Sequence, residues 1–306
     1  VSRVLRIGTR GSRLARAQAD WVRRRLEQAH AGLRAELVVI RTSGDRFLNG
    51  PLSSIGGKGL FVKEIEAALS AGEVDCAVHS MKDLPADLAP GLVLAAVPER
   101  EDPRDVVVTR EAGGLDHLPE EARVGTSSQR RAALVRAAHP ALQVVDLRGN
   151  VETRLRKLAG GEVDAVVLAS AGLRRLCIEP PHAALCDPES FVPAIGQGAL
   201  AIESRADDTA ALLRAVEHPS TRVAIDAERA LLHGVGASCV TPLAGYATTD
   251  GGTLRLRGVL ALPDGRRIVR AESQGSAARA AEIGAEVARR LLEGGGAEIL
   301  HALGVV

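Results

Sequence analysis

Gly72-Glu73-Val74-Asp75-Cys76-Ala77-Val78-His79-Ser80-Met81-Lys82-Asp83-Leu84-Pro85 is a short apolar run that stops abruptly in polar side chains. Cys76 to Val78 reads as a buried strand. His79, Ser80, Lys82 and Asp83 follow at once, and Pro85 blocks continuation of a strand or helix. Ligands of open α/β sheets sit beyond the carboxyl ends of the strands. A carboxylate beside an ammonium in that place is a candidate proton carrier. A surface salt bridge on a loop is the plainer account of the same residues.

Working outward, the start of this stretch returns later in the chain. Gly72-Glu73-Val74-Asp75 is matched by Gly161-Glu162-Val163-Asp164, each before a strand. Arg6-Ile7-Gly8-Thr9 is matched by Arg123-Val124-Gly125-Thr126, each before a helix, and the order is the same in both halves. Two similar α/β domains facing each other across a cleft would produce this echo. In the first half a strand at Arg3 to Gly8 leads to a helix from Leu14 to Gln28, capped by Ser12. Leu14, Ala17, Trp21, Val22 and Leu26 fall on one face of that helix. A strand at Glu36 to Thr42 precedes a long polar loop ending in Gly56-Gly57-Lys58-Gly59. Leu52 and Gly59 stand where a Walker A loop needs Gly and Ser or Thr, so the loop is not one. A helix from Phe61 to Ala71 and a strand at Leu92 to Val97 complete this half, and the charged Glu99 to Asp105 reads as a linker before a strand at Val106 to Val108.

Pro193 to Gly198 reads as a tight crossing between domains, followed by a strand; Gly196-x-Gly198 lacks the third glycine of a dinucleotide fingerprint. A helix from Thr221 to about Leu232 opens a separate α+β part. Its strands fall at Leu243 to Thr248, Thr253 to Leu262 and Arg267 to Glu272, with a hairpin signal at Asp264-Gly265 and a last helix from Ala277 to Glu293, stopped by Gly294 to Gly296. The expected division is residues 1–98 with 199–217, residues 104–193, and residues 220–306.

Arginines gather where strands turn into helices. Arg10, Ser12 and Arg13 open the first helix, Ser127, Ser128, Arg130 and Arg131 another, and Arg148-Gly149-Asn150 with Arg154 a third. Unpaired N–H groups at helix starts beside guanidinium forks suit carboxylate or phosphate; simple capping would use the same serines. Lysine is rare in this chain, being confined to Lys58, Lys63, Lys82 and Lys157.

The bulk numbers exclude several classes. The 306 residues favour two or three domains, and 46% hydrophobic with 25% charged residues is ordinary for a soluble globular chain. A net charge of +1 gives no global pull toward nucleic acid or membrane, and 2% aromatics are too few for a single-strand stacking platform. Without a membrane-length apolar run or a signal peptide at its start, the chain is expected in the cytoplasm, as a monomer. Of Cys76, Cys177, Cys186 and Cys239, none forms a C-x-x-C pair, so no metal is expected. Cys76 reads as a core residue. Cys239 sits on a loop among small residues, where a thiol can be a nucleophile or a covalent attachment point, though a lone cysteine is more often inert.

Together these stretches resemble the porphobilinogen deaminase family almost end to end. The resemblance rests on Gly8-Thr9-Arg10-Gly11-Ser12, Gly56-Gly57-Lys58-Gly59-Leu60-Phe61, and Val78 to Pro85 of the opening stretch. It continues through Glu101-Asp102-Pro103-Arg104-Asp105, Gly125-Thr126-Ser127-Ser128, Arg130-Arg131, Leu147-Arg148-Gly149-Asn150, Pro193-Ala194-Ile195-Gly196-Gln197-Gly198 and Ala227-Glu228-Arg229-Ala230, and ends at Cys239, three residues before Pro242. It implies an α/β fold of two periplasmic-binding-protein-like (type II) domains around a cleft, plus a small α+β C-terminal domain. It implies a transferase that condenses four porphobilinogen molecules head to tail, with loss of ammonia, and releases hydroxymethylbilane by hydrolysis.

The resemblance further implies a dipyrromethane cofactor held by Cys239 through a thioether, contacted by Ser80, Lys82, Thr126, Ser127, Ser128, Arg130, Arg131, Arg148 and Gly149. Asp83 would be the catalytic carboxylate. Arg10, Ser12, Arg148, Arg154 and Gln197 would bind the substrate, and Gly57, Lys58, Gly59 and Phe61 would belong to a mobile cover. Arg13, where many members have Pro, and Ala237-Ser238, where many have Gly-Gly, depart from the family pattern. Three other readings compete. A solute-binding module for an acidic ligand leaves Asp83 and Cys239 without a task. A pyridoxal-phosphate enzyme would use Lys58 or Lys82. A DNA-binding regulator would need a basic recognition helix at one end, which the sequence lacks.

Overall fold

A computed structural model describes residues 4–43, 62–111, 113–237 and 241–305. The expected cover residues Gly57, Lys58, Gly59 and Phe61, and the expected anchor Cys239, lie outside these residues. In chain order the elements begin with β1 (Leu5–Arg10), α1 (Arg13–Ala29), β2 (Ala35–Ile40), α2 (Lys63–Ser70), β3 (Cys76–Ser80), β4 (Leu92–Ala96) and β5 (Asp105–Thr109). They continue with β6 (Arg123–Gly125), α3 (Gln129–Ala138), β7 (Gln143–Val145), α4 (Val151–Ala159), β8 (Ala165–Ala169), α5 (Ser170–Arg175), β9 (Ala183–Leu185) and β10 (Leu200–Arg205). The last are α6 (Asp208–Leu213), α7 (Pro219–Val235), β11 (Leu243–Asp250), β12 (Thr253–Ala261), β13 (Ile268–Ser276), α8 (Ala280–Leu291) and α9 (Ala297–Ala302). They group into two compact units, Val1–Glu101 with Gly198–Arg222, and Asp102–Gln197 with Val223–Val306.

The first unit is built on a sheet of order β2-β1-β3-β10-β4. β1 runs parallel to β2 and β3, and β10 lies antiparallel between β3 and β4. One face carries α1, through Ala19, Val22 and Leu26 on Ile7, Val78 and Ile202; the other carries α2, through Ile65 and Leu69 with Val74 and Ala77. The buried face of α1 is Ala15, Gln18, Ala19, Val22 and Leu26, rotated from the expected stripe. Small alanines allow close approach to the sheet, while Trp21 is 38% exposed with the Arg25 guanidinium 5.1 Å from its ring centre.

The second unit repeats the plan in a sheet of order β7-β6-β8-β5-β9, with β6 parallel to β7 and β8 and β5 antiparallel to β8 and β9. The two sheets thus share one strand order and one pattern of parallel and antiparallel pairs. The echoed tetrapeptides are a repeated clamp. The backbone N–H of Arg6 donates to Asp75 Oδ2 (2.8 Å), and its Nη2 donates to Gly72 O (2.7 Å). In the second unit the N–H of Arg123 donates to Asp164 Oδ2 (2.8 Å) and its Nη2 to Gly161 O (2.8 Å). Asp75 is 1% exposed, so Asp75→Ala leaves the Arg6 N–H without its acceptor. The expected result in urea unfolding is a loss of about 1–3 kcal/mol with little change in activity per folded molecule.

The second unit also contains the antiparallel meander β11-β12-β13. One of its faces is covered by α7, α8 and α9, in a core that includes Leu231, Leu256, Val287, Leu291 and Leu300. From the same meander Ala244 and Val259 enter the core of the β5–β9 sheet, beside Val107, Val124, Val167 and Phe191. Two expectations need correction. Helical structure resumes after Gly294 to Gly296: Gly295 takes φ +107, and burial of Ile299 and Leu300 draws α9 back to the core. Asp105 is no linker residue either, but begins β5 with no exposed surface.

Candidate active site

β3 runs directly into a single 3₁₀ turn, Met81–Asp83. Two buried apolar side chains, Met81 and Leu84, pin its ends. The Met81 N–H donates to Ala199 O (3.0 Å) and the Leu84 N–H to Met81 O (3.1 Å). Lys82 and Asp83, between those anchors, are held half-buried at the strand end. Asp83 lines a small pocket of about 60 Å³ with Arg10, Ser12, Gln18, His79 and Ser80. Ser12 caps α1, its Oγ accepting from the Ala15 N–H (3.2 Å), and Gln18 Nε2 donates to Ser80 Oγ (2.9 Å). The structure therefore brings Arg10, Ser12, Ser80 and Asp83 together in one pocket.

One feature of this pocket was not assigned from sequence. His79 is buried, and its Nε2 lies 3.1 Å from Oε2 of the fully buried Glu203 on β10. Among the described residues, neither Glu203 oxygen accepts a hydrogen bond. On α2, burial and then the Glu203 carboxylate hold the Glu66 carboxyl above the usual carboxylate range. Glu203 was hidden because nothing in Leu-Ala-Ile-Glu-Ser-Arg shows which side chains of the strand turn inward.

In the second unit, the starts of α3 and α4 carry the other predicted residues. Ser128 caps α3, its Oγ accepting from the Arg131 N–H (3.4 Å), and Thr126 Oγ1 accepts from the Ser128 N–H (3.1 Å). Arg154 donates through Nε to Gly149 O (2.9 Å) and through Nη2 to Ser127 Oγ (3.1 Å). Arg148 pairs with Asp146 at 3.2 Å. Burial and the charge of Arg131, with Arg148 adding and Asp146 opposing, pull the Arg154 guanidinium down to about 10. The group keeps its proton at neutral pH, so the shift marks a place short of negative charge.

Arg130, Arg131 and Gln197 were expected to face a ligand, but all three are buried and engaged inside the unit. Asp105 pairs with Arg130 Nη1 and Arg131 Nη2, both at 2.8 Å. The remaining guanidinium donors include Arg130 Nη1 to Val192 O (2.8 Å) and Arg131 Nη1 to Val167 O (2.9 Å). Gln197 Nε2 donates to Pro103 O (2.8 Å) and Asp105 Oδ1 (3.1 Å). Two guanidinium groups can leave water only with a carboxylate and carbonyls arranged around them. Burial alone would raise the Asp105 carboxyl, but the two arginines overcome it and hold its pKa at about 2. A carboxylate opening the apolar Val106-Val107-Val108 run was the available signal.

Gly149 has φ +121, and a Cβ there would lie 2.6 Å from Thr153 Cγ2. Gly149→Ala is expected to distort the loop that holds Arg148 and accepts from Arg154. Destabilisation should be about 1–3 kcal/mol by thermal unfolding, with a raised KM for an anionic substrate.

Among the described residues, no group of three or more His, Cys, Asp or Glu side chains could hold a metal ion, and no helix is long and apolar enough to cross a membrane. Residues 5–212 match the family described as porphobilinogen deaminase, dipyromethane cofactor binding domain, and residues 223–293 match its C-terminal domain. The porphobilinogen deaminase of Syntrophobacter fumaroxidans is 50% identical over 303 residues, covering 98% of each chain. That of Pelobacter propionicus is 50% identical over 301 residues, covering 98% of this chain and 97% of its own. The methionine-binding protein MetQ is a looser likeness, 15% identical with a TM-score of 0.45 over 70% of this chain and 88% of that one.

Proposed function

The chain belongs to the porphobilinogen deaminase family, and on that premise we propose roles for its residues in making hydroxymethylbilane from four porphobilinogen molecules. The observation that carries the assignment is the first unit's pocket, where a half-buried carboxylate stands among Arg10, Ser12 and Ser80 at the end of β3. Asp83 is the catalytic carboxylate. Each condensation needs a protonated amine to leave, a cation stabilised beside pyrrole N–H groups, and a ring proton removed. One carboxylate serves all three. Arg10 and Ser12 hold the acetate and propionate of the incoming porphobilinogen.

The second unit's donors fit the carboxylates of a dipyrromethane. Four guanidinium groups, Arg130, Arg131, Arg148 and Arg154, face only Asp105 and Asp146 as acidic partners among the contacts described. Arg148, Arg154 and Ser127 would hold the cofactor's side chains directly, with Thr126, Ser128 and Gly149 shaping the turn. Arg130, Arg131 and Gln197 act from beneath, as a buried positive field. Lys82 and Ser80 are further carboxylate donors in this reading, and Cys239 is the anchor. When bound, the cofactor would supply the free pyrrole carbon to which the first unit is joined, each later unit joining the one before it. A cytoplasmic monomer independent of nucleic acid and membrane is part of this reading, supported by the chain's net charge of +1.

The test is denatured mass spectrometry of the purified chain, before and after incubation with porphobilinogen, with ammonia measured in parallel. A mass excess of one dipyrromethane on the peptide containing Cys239, and stoichiometric ammonia release, is expected. A chain that binds porphobilinogen without gaining mass or releasing ammonia is a solute-binding module instead.

A further inference from the structure

The buried His79–Glu203 pair has no task in the roles above, yet one of its members lines the pocket of Asp83. A carboxylate without exposed surface, its two oxygens lacking hydrogen bonds, is costly in the charged state unless a cation stands beside it. The imidazole 3.1 Å away is the group that can supply one. The geometry thus sets a buried carboxylate directly behind an imidazole at the pocket wall. The charged groups around it are Glu203 from β10, Glu66 and Lys63 from α2, Lys82 and Asp83 from the turn, and Arg10 from the end of β1. Burial and the Glu203 charge already raise the Glu66 carboxyl, so negative charge is crowded behind the imidazole.

We propose that His79, oriented and charge-balanced by Glu203, receives the proton that Asp83 collects in each condensation and so returns Asp83 to its carboxylate form. The inference rests on the deaminase reading and deepens it. With the substrate amine entering as its ammonium, each condensation breaks one C–N bond and one ring C–H bond, forms one C–C bond, and frees ammonia and the ring proton; no electron acceptor is involved. The proton passes from the Asp83 carboxyl to the imidazole. It leaves with water or with the departing ammonia, as ammonium. Glu203 offsets the imidazolium charge in the interval, as a buried carboxylate does behind a catalytic histidine. Glu203 is thus a positioning residue.

The experiment compares the holoenzyme with its Glu203→Gln and His79→Gln variants. Ammonia release is followed from about pH 5 to 9, and the His79 ring is titrated by NMR in the full-length chain without substrate. Glu203→Gln keeps the shape and removes the charge. The expected result is a kcat lowered at least about 10-fold with KM unchanged, and the His79 titration moved to lower pH with the acid limb of the kcat profile following it. His79→Gln should lose that limb. A wild-type enzyme that turns over beside two variants with unchanged kcat and pH limb overturns the relay while leaving the deaminase reading intact. A wild type that releases no ammonia sinks the deaminase reading itself. Should either variant fail to fold, the titration of the unaltered chain decides: an imidazole holding one protonation state across this range overturns the relay.

Discussion

Asp83→Asn lowers kcat for ammonia release by about 10²–10⁴-fold, the range over which a positioned proton carrier accelerates a reaction. The substitution keeps the size of the side chain and its place between the Met81 and Leu84 anchors. It removes the negative charge and the capacity to carry a proton. Those two losses act on the leaving amine, on the cation that follows and on the final deprotonation alike. The fall should therefore appear in kcat, with KM for porphobilinogen set as before by Arg10 and Ser12 in the same pocket. Steady-state kinetics with an intact-mass check of cofactor content separates the effect from incomplete loading. An unchanged kcat in a loaded variant would remove Asp83 from the mechanism.

Asp105→Asn is expected to destabilise the second unit by about 3–5 kcal/mol, the cost of leaving buried charge without its partner. Arg130 and Arg131 are 5% and 6% exposed and cannot turn to solvent without opening the core around Val107 and Phe191. Chemical denaturation followed by circular dichroism measures the loss, and a second substitution, Arg130→Met, should recover part of it by removing one unpaired cation. The pair also sets an acid limit. The folded-state pKa of Asp105 is depressed from 3.8 to about 2, so its contribution is fully present above pH 3.8 and is lost as pH falls through about 2. The Asp105→Asn chain should lack that part of the acid limb. A variant as stable as the unaltered chain, with the same acid limb, would show that the pair is not what holds these arginines.

Much of the fold was legible because it is written twice. Arg6 with Gly72 and Asp75, and Arg123 with Gly161 and Asp164, tie equivalent turns to equivalent strands, and a clamp that needs the same three residues in both units leaves the same letters in both halves. The Asp83 turn was legible because an apolar strand gave way to polar residues and then to Pro85. Burial was not legible. Arg130 and Arg131 have the composition of a ligand site, and only the position of Asp105 across the sheet turns them inward. Glu203 reads as an interruption of a strand until β10 is laid against β3. The helix resuming at Ala297 was missed for a related reason. Three glycines end a helix by local propensity, and the burial of Ile299 and Leu300 overrides them.

The place of β10 in its sheet has a consequence for how the chain is made. Synthesis delivers β1 to β4 first, but β3 and β4 do not touch as neighbours; β10 lies between them and comes only after the whole of β5 to β9. A nascent chain that has emerged as far as β4 therefore holds two open strand edges around a missing centre, the arrangement most inviting to wrong pairings. The same late strand brings Ala199 O to the Met81 turn and Glu203 to His79. The pocket around Asp83 is thus unfinished until synthesis has passed Glu203, a long-range closure that slows folding and gives chaperones a window in which to act.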